Sequence, residues 1–393
     1  MKAMKRMQKF LSQREEAGTL RRLMPLTRLG RGRVKLLDSK DNLLDFSSND
    51  YLALSEHPEV IAASRKYLEM FGAGAGAARL MSGDLEINHL LEQEIAQLKL
   101  KEAALTFGSG YLASTGIIPA LAGRGDLIIT DRLSHASIYD GCMLSGAMTI
   151  RFRHNDLAHL EQVLREKRSQ FNSCLVVVES IYSMDGDRCP LVELVSLKKL
   201  YDFVLMVDEA HATGLYGENG SGLIEEYKVS DGVDIAMGTY GKALGSYGAY
   251  AAASREIIDF LVNKARTFIY STALPPAVLG ANLASLYLVK TEPFLRQDLQ
   301  NRVAFFKKQL RRNGLQDAPG PSQIIPVMIG DSGKALMVAE DLQKNYFYVK
   351  AVRPPTVPEG TARLRFSITR YHGEEDLKKC ATVLAEALGK TAA

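Results

Sequence analysis

The sequence predicts an α/β protein in which a mainly parallel sheet is sandwiched by helices, followed by a smaller α+β domain at the C-terminal end. Two observations lead there. Between about residues 100 and 250, short β-branched or apolar runs alternate with segments of helical spacing, the pattern of successive βαβ units. After about residue 290 a charged helical stretch at 292–313 gives way to mixed strands and helices. The expected organisation is an N-terminal helix and arm at 1–45, a large domain at 46–290 and a small C-terminal domain at 291–393.

The elements follow in order. MKAMKRMQKFLSQREEAG is basic, has no apolar stretch and soon meets Glu15 and Glu16, so it reads as an amphipathic helix rather than a secretory signal. The Gly-rich run GAGAGAARLMSG (72–83) lies between two helical patterns instead of behind a strand, which predicts a mobile loop near a ligand more than a dinucleotide site. Strands are expected at AALTF (103–107), DLIIT (126–130), CLVVVES (174–180), FVLMVDEA (203–210) and DIAMGT (234–239), with helices at 111–122, 134–145, 156–168 and 191–201. The last part reads as the strand SQIIPVMI, a helix near 332–345, the strands YFYVKAV and ARLRFSIT, and a closing helix at 373–388.

Composition removes several classes of function. The 393 residues are 46% hydrophobic and 24% charged, ordinary values for a globular chain of two or three domains. A net charge of +4 spread along the chain gives no basic tract for nucleic acid. The four cysteines, Cys142, Cys174, Cys189 and Cys380, lack CxxC or Cys/His ligand spacing, so free thiols in a reducing compartment are expected and no metal site. No apolar stretch approaches the roughly 18 residues of a membrane span. The expectation is a cytoplasmic protein with neither nucleic-acid nor membrane partners.

Ligands of parallel sheets bind at the carboxyl ends of the strands, and the residues able to do chemistry fall there. Between Asp234 and Arg255 the single charge is Lys242, in AMGTYGKALGSYGAYAAAS. Desolvation lowers a lysine's pKa and yields an amine able to condense with a carbonyl, which makes Lys242 a Schiff-base candidate; the plainer reading is a snorkelling surface lysine. In VDEAHATG, Asp208 ends a buried run and His211 follows: a carboxylate able to hold a protonated ring nitrogen beside an imidazole able to bond a phenolic oxygen, or else a cap and an ordinary polar residue. TFGSGY places Gly108, Ser109 and Gly110 at a helix start suited to a phosphate, with the Thr239 hydroxyl to help, although an ordinary βα turn has the same composition. In DRLSHAS, His135 is a stacking ring, a general acid or a polar residue at a helix start. In GTARLRFSIT, Leu364, Phe366 and Ile368 alternate with Arg363 and Arg365, a pair suited to bidentate carboxylate recognition or to a solvated sheet face.

Taken together and in order, SSNDYL (47–52), TFGSGY (106–111), DRLSHAS (131–137), SIYSMDGD (180–187), VDEAHATG (207–214), GTYGKALG (238–245), YSTALPP (270–276) and RPPTVPEGTARLR (353–365) resemble the α-oxoamine synthases, fold-type I enzymes of pyridoxal 5'-phosphate. The resemblance covers nearly the whole chain and implies the following roles. Lys242 carries the cofactor as a Schiff base, Asp208 pairs with the pyridine nitrogen, His211 and Ser183 bond the phenolic oxygen, and His135 stacks on the ring. Ser109, Gly110, Tyr111 and Thr239 hold the cofactor and its phosphate, and Thr272 reaches the partner subunit's cofactor across a homodimer interface. Asn49 and Arg365 hold the amino-acid carboxylate, Arg21 meets the far carboxylate of the acyl chain, and Arg363 is structural support. PPTVPEGTARLR and LRRLMP most resemble the branch that condenses L-alanine with a pimeloyl thioester, carried by CoA or by acyl carrier protein, with loss of carbon dioxide on the way to biotin. The rivals are a glycine C-acetyltransferase, an aminotransferase on the same fold, and a partner subunit without catalysis, against which the retention of Lys242, Asp208, His211 and His135 together speaks.

Overall fold

Seven short strands of mostly fully buried residues form the central sheet of the computed structural model, which describes residues 2–16, 18–37, 39–316 and 320–392. The other positions of the expected arm and C-terminal domain, 1, 17, 38, 317–319 and 393, lie outside the described residues. The strands are β1 Ala103–Phe107, β2 Leu127–Asp131, β3 Met148–Phe152, β4 Cys174–Glu179, β5 Val204–Asp208, β6 Ile235–Thr239 and β7 Ala249–Ala253. Their spatial order is β1-β7-β6-β5-β4-β2-β3. β7 runs antiparallel to both of its neighbours and the other six run the same way. Burial on both faces explains the continuous Val, Ile and Leu of β2 and β4, because a sheet covered by helices on both sides has no polar face.

Two of the strands were not expected. β3 (MTIRF) is an edge strand with a mixed burial pattern, and β7 (AYAAA) is nearly all alanine, so neither carries the β-branched signal of its neighbours. The helices Gly110–Leu121, Ala136–Ser145, Leu157–Lys167 and Leu191–Leu200 connect successive strands where helical spacing was expected. On one face Ile117, Ile118, Leu261 and Phe268 pack against Leu105, Val177 and Met206 of the sheet.

The chain divides into two compact units, one of Asn49–Ser183 and Asp187–Leu299, the other of Met1–Ser48, Met184–Gly186 and Gln300–Ala393. In the second unit the N-terminal arm does not stand apart as a segment of its own. Its strands Leu26–Gly30, Arg33–Leu36 and Leu43–Asp45 share a sheet with Phe347–Tyr348, so arm and C-terminal region have backbone hydrogen bonds in common. A three-stranded antiparallel sheet of Ile324–Gly330, Ala362–Ser367 and Ala351–Val352 completes the unit with the helices Ser332–Lys344 and Glu374–Ala392.

The core of that unit centres on Phe46, whose ring meets Phe347 and Phe366 edge-on at 5.9 and 5.8 Å and stacks on His372 at 4.0 Å. His372 is fully buried; its Nδ1 accepts the Thr369 N–H at 3.1 Å, which leaves the proton on Nε2, 3.1 Å from the Asp45 carbonyl. Burial disfavours its cation and holds the ring down to about 4, against 6.5 when exposed. As pH falls below 6.5 the unfolded chain takes up this proton first, so the contribution is complete above 6.5 and is lost as pH falls towards 4. Chemical denaturation across this range is expected to show about 3 kcal/mol of acid-dependent loss in the native protein that is missing from His372→Asn. The same slope in both proteins would remove His372 as its source.

Candidate active site

Because six strands run the same way, their carboxyl ends share one edge of the sheet, and five of the six loops that leave it carry a residue singled out above, the loop after β3 being the exception. β1 leads to Ser109, β2 to His135, β4 to Ser183, β5 to His211 and β6 to Lys242. Asp208 closes β5 itself, in register with Glu179 of β4 and Met237 of β6. Lys242 sits half-buried in a tight turn, with the Gly245 N–H on its carbonyl at 2.9 Å and the Ser246 N–H on Tyr240 O at 2.9 Å. Gly245 has φ +62°, and a Cβ there would lie 2.3 Å from the Ser55 amide nitrogen, so this turn admits only glycine.

Electrostatics tie these groups together. Burial raises the Asp208 carboxyl above its usual value, and the Lys242 ammonium, the Ala210 N–H at 2.8 Å and His135 pull it back towards the anion. His135 is shifted down, by partial desolvation and by Lys242, while Asp208 opposes the shift. Its Nδ1 accepts the Ser137 N–H at 3.2 Å at the start of the helix Ala136–Ser145, which assigns the ring proton to Nε2. Glu179 accepts the His135 N–H at 2.5 Å, and burial together with the charge of Asp208 pushes it up to about 8. Glu209, the residue after Asp208, points the other way along the alternating chain, into a salt bridge with Lys99 at 2.8 Å that is closed to solvent.

His211 is buried, with Nδ1 2.9 Å from the Tyr51 hydroxyl, which itself donates to Asn49 Oδ1 at 2.9 Å. This chain links two expected site residues, His211 and Asn49, through one that was not expected. Tyr51 lay inside SSNDYL, but an aromatic residue in an apolar turn reads as core, and it is indeed fully buried. Glu179 was missed for a similar reason: one carboxylate at the end of an aliphatic run resembles a turn residue until its register beside Asp208 is known.

Ser109 caps the helix Gly110–Leu121, accepting the Leu112 N–H at 3.2 Å. A Cβ on Gly110 would lie 2.8 Å from Thr239 Cγ2, so the helix start and Thr239 meet directly. The Thr239 hydroxyl is buried and has no partner among the described residues. Tyr111 is exposed, its hydroxyl on Asp140. Thr272 is exposed in an isolated bridge to Ala78, and Ala273 N–H meets Ala77 O at 3.0 Å. The Gly-rich run is thus held rather than mobile at its C-terminal end: Arg79 grips Glu92 bidentately at 2.8 and 3.0 Å, and Glu92 accepts the Thr106 N–H of β1.

Ser183 is half-buried on the loop after β4. Arg21, Arg363 and Arg365 belong to the other unit. Both strand arginines are buried rather than solvated: Arg363 pairs with Asp185 at 2.5 Å, and Arg365 donates to Ser367 Oγ at 2.7 Å. Arg21 is exposed and donates to Thr356 Oγ1 at 3.0 Å. Among the described residues no cluster of His, Cys, Asp and Glu is arranged to hold a metal, and no helix is long and apolar enough to cross a membrane.

The chain resembles known proteins over most of its length. The family model of class I and II aminotransferases matches residues 41–384. A curated 8-amino-7-oxononanoate synthase of Geobacter sulfurreducens is 46% identical over 87% of this chain and 88% of its own. A serine palmitoyltransferase of S. paucimobilis, solved with a bound pyridoxal phosphate adduct, superposes with a TM-score of 0.91 at 29% identity, covering 98% of this chain and 97% of its own. The 8-amino-7-oxononanoate synthase of Francisella tularensis gives 0.78 at 28% identity over 89% and 99%. The residues fit that cofactor. An unpartnered buried hydroxyl beside a helix start suits its phosphate, and a buried carboxylate that needs a cation suits its ring nitrogen. By sequence match and by fold, the chain belongs to the class I and II aminotransferase family and, within it, to the 8-amino-7-oxononanoate synthases, pyridoxal-phosphate-dependent acyltransferases.

Proposed function

We propose that the chain joins L-alanine to a pimeloyl thioester, forming 8-amino-7-oxononanoate, carbon dioxide and free thiol, and that it works as a homodimer. The observation that carries this reading is the buried Asp208 at the end of β5, electrostatically joined to Lys242 and His135. Pyridoxal phosphate, when bound, supplies the electron sink that makes the alanine Cα–H and Cα–carboxylate bonds labile. The protein's own groups do the rest. Asp208, buried and drawn back towards the anion chiefly by Lys242, would pair with the protonated ring nitrogen. Lys242 Nζ would hold the cofactor, and its free amine would take the alanine Cα proton and return one.

His211, set by Tyr51 through Nδ1, would bond the phenolic oxygen through Nε2, helped by Ser183. His135 would stack on the ring and offer its Nε2 proton to the substrate carboxylate or the acyl oxygen. Ser109, Gly110, Tyr111 and Thr239 hold the phosphate end, with Thr272 supplied across the dimer. Asn49 and Arg365 fix the alanine carboxylate, and Arg21 binds the far carboxylate of the acyl chain. The new bond joins alanine Cα to the thioester carbonyl carbon; the C–S bond breaks, and the alanine carboxylate leaves as carbon dioxide.

Borohydride treatment is expected to fix the cofactor on the peptide that contains Lys242. In Lys242→Ala that product should vanish and turnover should fall by at least about a hundredfold. A labelled lysine peptide in the variant, or near-native turnover, would take the role from Lys242. Arg365→Ala is expected to raise the KM for alanine roughly ten- to a hundredfold, the loss of a charged hydrogen-bonded pair, and steady-state kinetics read this directly. Unchanged alanine saturation would end the carboxylate assignment.

A further inference from the structure

A set of charged groups not used above joins two loops of the larger unit. His154, two residues beyond β3, stands between two carboxylates, with Nδ1 2.9 Å from Asp131 Oδ1 and Nε2 2.8 Å from Asp187 Oδ2. An ionised carboxylate only accepts, so a ring that meets one at each nitrogen carries both protons. Burial opposes that imidazolium, but the hydrogen bonds and charges of Asp131 and Asp187 outweigh it and push the ring up to about 10. Asn155, at φ +51°, reinforces the bridge: its N–H meets Asp131 Oδ2 at 2.8 Å and its side-chain amide meets Asp187 Oδ2 at 2.7 Å. The Tyr182 ring stands edge-on to the imidazole at 4.5 Å.

Each carboxylate is the root of a loop with a site residue. Asp131 ends β2, accepts the Leu133 N–H at 2.8 Å and opens the turn that leads to His135. Asp187 lies at the base of the loop closed by the Ile181–Arg188 bridge, where its carbonyl accepts the Tyr182 N–H at 3.1 Å, one residue before Ser183. We propose that His154 is a positioning residue for the condensation: bridging Asp131 and Asp187, it holds the His135 loop and the Ser183 loop in one frame. A neutral imidazole donates once and grips a single loop; the cation grips both. The inference rests on the reading that these two loops serve pyridoxal phosphate.

The test uses cofactor-free native protein, His154→Asn, Asp187→Asn and the double variant. Pyridoxal phosphate affinity is measured by absorbance titration, then kcat and the alanine KM with pimeloyl-CoA, and the melting temperature without cofactor. Each single variant is expected to lose about tenfold to a hundredfold in cofactor affinity and in kcat, with little change in alanine KM, and the double variant should be no worse than the poorer single. Cofactor affinity and kcat within about twofold of native in both singles would overturn the proposal. So would losses that multiply in the double variant, or that merely follow a fall in the cofactor-free melting temperature. Asp187→Asn, of nearly the same shape, carries the test if His154→Asn does not fold. Native protein that binds the cofactor but releases no thiol would sink the functional reading instead, and the coupling in cofactor affinity would still decide the role of His154.

Discussion

A carboxylate at a buried strand end keeps its negative charge only if cations surround it, and Asp208 is such a group. Lys242, the Ala210 N–H and His135 answer to that requirement. The charge of Lys242, in the turn after β6, favours the Asp208 anion and also lowers the affinity of His135 for a proton. Glu179, next to Asp208 in register, is pushed towards its neutral form, so two adjacent carboxyls do not both demand compensation. A ring nitrogen that needs a proton is the partner this arrangement suits.

The opposite side of the same strand end handles charge differently. Glu209 is as buried as Asp208, yet it is satisfied inside the fold: Lys99 at 2.8 Å and the Ile224 N–H at 2.9 Å occupy its two oxygens. The Lys99 ammonium also donates to Thr213 Oγ1 at 3.0 Å and to the Ser221 carbonyl. Gly222 backs this arrangement, since a Cβ there would lie 2.4 Å from the Glu209 carboxylate. Alternation along the chain thus gives neighbouring acids opposite fates, one closed into structure and one left for a ligand.

Much of this was legible in the sequence because parallel strands place chemistry at their ends. The aliphatic runs before Ser109, Ser183, Asp208 and Lys242 located both the strands and the edge where those residues gather. Alternation also separated Arg363 and Arg365 from Leu364 and Phe366, and of the two readings it left open the solvated face is excluded, because the structure buries all six residues of the strand. Contacts made across the chain left no local trace. Tyr51 meets His211 over 160 residues, and His154 meets Asp187 over 33, with nothing in either segment to mark the pairing. The joining of the arm to Phe347–Tyr348 is of the same kind, a backbone pairing between segments far apart in the chain.

The most direct measurement is thiol release from pimeloyl-CoA and from pimeloyl-acyl carrier protein by the cofactor-loaded protein, with L-alanine, glycine or L-serine supplied separately. If this edge of the sheet acylates L-alanine with a pimeloyl group, release requires L-alanine and is matched by equal amounts of carbon dioxide and 8-amino-7-oxononanoate. Release with glycine or serine but not alanine, or from neither thioester, would contradict it.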